Sequence, residues 1–97
     1  MFVTTVEGLV DADSEDDLRS AWDETVGVTY PPGFIESFLL RAEDGTWRIV
    51  TVWESREAVM AMRASQKPAA ITMFERAGSE PSVSMWAVES HIGNSRG

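Results

Sequence analysis

Glu7 has the most chemistry to offer of any side chain in this sequence. It stands in a run from Phe2 to Val10 that alternates Val3, Thr5, Glu7, Leu9 against Phe2, Thr4, Val6, a period of two that reads as a strand. If Glu7 faces inward with Thr5 and, from a later strand, Thr51, its carboxyl needs a partner or a raised pKa, and an apolar pocket holding one displaced carboxylate is a candidate proton-transfer site. The alternative is that Glu7 reaches solvent at a strand end or edge. Trp22, Trp53, Met62, Met73, Phe74 and Trp86 could wall such a pocket, since apolar walls with a few polar groups characterise small-molecule sites; the same spacings also suit a plain core. Glu7 is therefore the candidate catalytic residue, and Trp53, Met62, Met73, Phe38, Trp22 and Thr51 are the candidate substrate contacts.

Other spacings carry less. Asp11-Ala12-Asp13-Ser14-Glu15 begins like a calcium loop, but Asp16 stands where the sharp-turn Gly is needed and Trp22 where the bidentate Glu is needed. His91 could serve Ser84 or Ser90 as a base only if alternate residues of a strand met in a triad, which they do not. The chain has no Cys, so disulfides and thiolate chemistry are excluded. It has no Gly-rich phosphate loop, zinc spacing or dinucleotide fingerprint, so neither a metal nor a cofactor is expected.

A length of 97 residues fits one domain, and a net charge of −8 disfavours nucleic acid and anionic membrane surfaces as partners. Eight acids precede Thr25 against Arg19 alone, whereas the remainder is nearly balanced, so the surplus belongs to one segment. No apolar run is long enough for a membrane span, and a cytoplasmic protein is expected. The single domain is assigned to residues 1–92, with 93–97 as a frayed tail.

The elements that must position these residues follow from the pattern. After the first strand, Ser14 and Asp17 form a capping box for a helix whose inner face holds Leu18, Ala21, Trp22, Thr25 and Val26, with Gly27 as its stop. Tyr30-Pro31-Pro32-Gly33 must turn; Phe34 to Arg41 is a second strand, Asp44-Gly45 a hairpin, and Thr46 to Glu54 a third strand. Ser55 caps a helix to about Ala64 with Ala58, Val59 and Met62 inward. Pro68 opens another helix with Ile71, Phe74 and Ala77 inward, and Ser82 to Ser90 is a fourth strand. The order β-α-β-β-α-α-β is an α+β, ferredoxin-like βαββαβ plan with a four-stranded antiparallel sheet.

Both faces of that sheet look apolar. Strand two sets Phe34, Phe38 and Leu40 against Ile35 and Leu39, strand three Trp47, Ile49 and Trp53 against Val50 and Val52, and strand four Val83, Met85 and Ala87 against Trp86 and Val88. A helix-free apolar face is most economically covered by a second copy, which predicts a homodimer with sheets face to face.

The stretches Pro32-Gly33-Phe34 through Arg41 and Val50-Thr51-Val52-Trp53-Glu54-Ser55-Arg56-Glu57-Ala58 resemble the antibiotic-biosynthesis-monooxygenase-like family of dimeric α/β barrels, in which Pro-Gly-Phe opens strand two and Trp-Glu-Ser ends strand three. The resemblance implies one of three outcomes: cofactor-independent oxidation of an aromatic or apolar small molecule, haem degradation, or no catalysis. The haem-degrading branch uses an Asn, a Trp and a His, whose places by position are taken here by Glu7, Met62, and Met73 or Ile71. Haem degradation is therefore not expected. For the cofactor-independent branch, Glu7, Arg48 and Tyr30 are conceivable polar contributors. The expectation is a homodimer with a pocket for an aromatic or apolar molecule, acting as a cofactor-independent monooxygenase; the alternative is a non-catalytic binding or structural dimer.

Overall fold

The computed structural model describes residues 1–25 and 30–93. The inward placing of Val26, the stop at Gly27 and all of the expected tail but Gly93 lie outside the described residues. Strands β1 (Phe2–Leu9), β2 (Phe34–Arg41), β3 (Thr46–Trp53) and β4 (Ser82–Ala87) form one sheet in the order β2-β3-β1-β4, every neighbour antiparallel. Helices α1 (Glu15–Thr25), α2 (Arg56–Ser65) and α3 (Ala69–Arg76) lie on one side. This is the expected ferredoxin-like plan.

Local chemistry explains most boundaries. Ser55 caps α2, its side chain accepting from the Ala58 amide, and Pro68 is the N-cap of α3. Helix α1 departs from expectation: a 3-10 turn at Ala12–Ser14 precedes it, so Ser14 is already inside the spiral and is not the cap. The Glu15 carboxylate instead ties the start of α1 to the sheet. Its Oε2 accepts from Arg41 Nε at 2.7 Å and from Trp47 Nε1 at 2.9 Å. The Arg41 hydrogen bond first, and that of Trp47 second, hold the Glu15 carboxyl below its ordinary range.

Burial fixes which face of each strand meets the helices. Phe2 and Val6 of β1 and Trp47, Ile49 and Trp53 of β3 are buried. Their register partners complete the helix side, whereas Glu7 lies opposite Arg48 and Thr5 opposite Val50 on the helix-free side. A β-bulge between Phe34 and Glu36 switches the parity of β2, so Phe34, Ser37, Leu39 and Arg41 pair along the helix-side row while Phe38 and Leu40 fall on the other face. The expected grouping of Phe34 with Phe38 and Leu40 is thereby corrected.

The core under the helices is divided. One cluster gathers Val6, Leu18, Ala21, Trp47, Ile49, Met73 and Phe74 beneath α1 and α3; a second gathers Phe2, Trp53, Val59 and Met62 beneath α2. Apolar side chains that close into two groups rather than one leave a gap between them, and the site occupies that gap.

Candidate active site

A cavity of about 600 Å³ opens between the two core clusters. Trp22 of α1, Ile49 of β3 and Met73 of α3 wall it on one side; Phe34, Trp53 and Met62 wall it on the other. Three rings are stepped along its edge: Tyr30 stacks on Phe34 with centroids 4.5 Å apart and planes 8° from parallel, and Phe34 meets Trp53 edge-on at 5.9 Å. Such offset and edge geometries suit the aromatic quadrupole and hold the rings in fixed orientations.

Polar groups enter from the sheet at Glu36, Ser37, Thr51 and Trp53, and from the helices and the turn before β2 at Trp22, Thr25, Gln66 and Tyr30. Ser37 Oγ lies 3.1 Å from the Val50 carbonyl oxygen and 3.0 Å from Thr51 Oγ1, and both residues border the cavity. Trp53 Nε1 donates to Thr4 Oγ1 at 3.1 Å, which fixes the indole plane. Glu36 is the one acidic residue bordering the cavity among the described residues, and no His, Lys or Arg borders it.

The structure brings together Trp22, Thr51, Trp53, Met62 and Met73 from the expected set. It does not bring Glu7 or Phe38 to them. Glu7 points away from the helices, where Arg48 Nη2 approaches its Oε1 to 3.0 Å, because the buried parity of β1 belongs to Phe2 and Val6. Thr5 and Arg48 share that outer face. Phe38 is 45% exposed there, on the far side of the sheet from the cavity, because the bulge reverses its side. Trp86, 58% exposed, is likewise outside, and Phe74 is fully buried in the core behind the cavity wall. Sequence reasoning missed Ser37 and Phe34 as cavity residues. Their signal, the Pro-Pro-Gly turn that launches β2 out of parity, is visible only once the bulge is known.

Among the described residues no group of His, Asp and Glu is arranged to hold a metal ion. No helix of the described residues is long and apolar enough to cross a membrane.

Comparison with known proteins agrees with this architecture. No curated protein matches the sequence. Among solved structures, the haem-degrader MhuD from Mycobacterium tuberculosis, with two haems bound in its active site, is 26% identical, with 96% of this chain and all of that one covered at a TM-score of 0.72. A variant of SnoaB, a cofactor-independent oxygenase from Streptomyces nogalater, is 16% identical over 96% of this chain and 97% of that one, also at 0.72; at that identity the likeness speaks for the fold. Residues 1–72, which contain β1 to β3, α2 and most of the cavity wall, match the model for antibiotic biosynthesis monooxygenase. That match covers well over half of the 97 residues, and the chain belongs to the antibiotic biosynthesis monooxygenase family.

Proposed function

We propose that this protein is a cofactor-independent oxygenase for an uncharged aromatic small molecule, working in the cytoplasm as a homodimer joined through the helix-free sheet face. The observation that carries the reading is the cavity of about 600 Å³, walled by Trp22, Phe34, Trp53, Met62 and Met73 and open between two separate core clusters. Its size and apolar make-up suit a small-molecule site.

Haem, which MhuD binds, suits this wall less well than an uncharged aromatic molecule does, although Met62, Met73 and Tyr30 carry atoms that can ligate iron. No His borders the cavity to ligate iron among the described residues, and no Lys or Arg borders it to pair with propionates. An electron-rich phenol with an activated methylene needs neither. Its carbon gives up two hydrogens and four electrons to dioxygen, one oxygen atom becoming the new carbonyl and the other leaving as water. The protein's part is to hold the ring between fixed aromatic planes, exclude bulk water and bind the phenolic oxygen at Ser37 and Thr51.

For the dimer, the helix-free face leaves Phe38, Leu40 and Trp86 exposed at 45%, 46% and 58%, around the cross-strand Glu7–Arg48 pair. A face of that character on a small domain marks an interaction surface. Light scattering should give twice the 10.7 kDa chain mass; a monomer at micromolar concentration would overturn the dimer.

Oxygen uptake with anthrone-like phenols and hydroquinones tests the activity. Uptake above buffer, lost when Ala70→Trp fills the cavity, is the expected result. No uptake with any of the panel rejects the enzyme. A rival reading, a non-catalytic binding protein of the same fold, is favoured by the single acidic residue and absence of His in the described cavity wall; it predicts ligand binding without uptake.

A further inference from the structure

The geometry points to the Ser37–Thr51 hydroxyl pair as an acceptor-only anchor, a specificity determinant that selects ligands bringing their own O–H or N–H donor to the sheet side of the cavity. This rests on the reading of the cavity as a ligand site. The Val50 carbonyl can only accept, so at 3.1 Å the Ser37 hydroxyl must donate to it. With that single proton committed, the 3.0 Å contact between Ser37 Oγ and Thr51 Oγ1 is made by the Thr51 proton. Both hydroxyl protons are thus used inside the protein, and Thr51 Oγ1 faces its surroundings with lone pairs.

Neighbouring donors are committed in the same way. Trp53 Nε1–H goes to Thr4 Oγ1 at 3.1 Å, and the Thr25 hydroxyl goes to the Ala21 carbonyl at 2.9 Å. Trp22 and Gln66 on the helical side and Tyr30 at the turn before β2 are the other side chains of the wall that carry an N–H or O–H. A ligand that offers only acceptors to the sheet would leave the Thr51 lone pairs desolvated and unmatched, which costs binding. A carboxylate there would face lone pairs with no cation in the described wall and Glu36 at its border.

Trp22 and Trp53 stand in the wall, so quenching of their fluorescence reports binding without reference to turnover. At pH 7, naphthol should bind about 3- to 10-fold more tightly than methoxynaphthalene, the range expected for one neutral hydrogen bond, and naphthoate should bind more weakly than naphthol. Thr51→Val, which keeps the shape and removes the Thr51 acceptor, should shrink the preference by weakening naphthol alone, the Ser37 lone pairs keeping a remainder that the Ser37→Ala, Thr51→Val double variant should lose. Ser37→Ala should act in the opposite sense: it frees the Thr51 proton to donate, so the ether gains affinity. A purely structural role for the pair would weaken both ligands alike in both variants. Equal binding of naphthol and its ether by the natural chain, or an unchanged preference in Thr51→Val, overturns the anchor. Quenching with the stated preference but no oxygen uptake rejects the oxygenase and keeps the anchor; absence of quenching by any of the three ligands rejects both.

Discussion

Replacing Gly33 by Ala should be among the more damaging single-methyl additions available in this chain, and the structure says why. Gly33 closes the Pro31-Pro32 turn at φ +86°, its carbonyl accepts from the Glu54 amide at 2.8 Å, and it sets Phe34 at the cavity wall. A Cβ at Gly33 would meet Ala58 Cβ of α2 at 2.4 Å, well inside van der Waals contact. Two costs therefore combine. A side chain in the left-handed region costs roughly 1–2 kcal/mol, and overpacking against a helix adds about 1–3 kcal/mol. Gly45, at φ +91° in the β2–β3 hairpin, isolates the first cost, since its nearest neighbour would be the Val10 carbonyl oxygen at 3.9 Å. Gly33→Ala should lose more stability than Gly45→Ala by about 1–3 kcal/mol, or roughly 5–20 °C in Tm for a domain of this size. Ala58→Gly alone costs about 1 kcal/mol of helix propensity, yet in the Gly33→Ala background it removes the clashing atom. The double variant should therefore be more stable than the sum of the singles by about 1–3 kcal/mol. Urea denaturation of the four proteins at one concentration measures this. Additive losses, or equal losses for Gly33→Ala and Gly45→Ala, would refute the contact and with it the account of how Phe34 is held.

Other expectations follow from the same contacts. Phe74 is fully buried, so Phe74→Ala should cost about 3–5 kcal/mol in urea denaturation, and a loss below about 1 kcal/mol would contradict its place in the core. The Glu15 carboxyl is depressed in the folded state, so its contribution is fully present above its ordinary value of 4.5 and is lost as pH falls through the folded value. Glu15→Gln should therefore flatten the acid limb of Tm against pH below that value; an unchanged limb would show that the Arg41 and Trp47 bonds do not matter. Glu7 faces away from the cavity, so Glu7→Gln should leave any oxygen uptake unaltered, and a loss of uptake would return Glu7 to the reaction. Arg48→Glu sets two acids opposite each other on the face proposed for dimerisation, and light scattering should then show monomers.

Most of the fold was legible because its signals are local. Ser55 before Arg56, Pro68 before Ala69 and Asp44-Gly45 between two strand-like runs each act within a few residues, and each stands where the pattern put it. The unexpected 3-10 turn at Ala12–Ser14 is also informative, because what orients α1 there is the Glu15 bond to Arg41 and Trp47, 26 and 32 residues distant in sequence.

By itself, the sequence determined the order of elements, the apolar side of each helix and the presence of Trp53 and Met62 in one interior. Only the tertiary structure decided which polar residues meet the cavity. A strand's alternation defines two faces without saying which is covered, so Glu7 could be placed only when Phe2 and Val6 were seen buried and Arg48 was seen opposite it. One inserted residue reverses every side chain beyond it, so the bulge at Phe34 and Glu36 brought Ser37 to Thr51 and carried Phe38 to the other side.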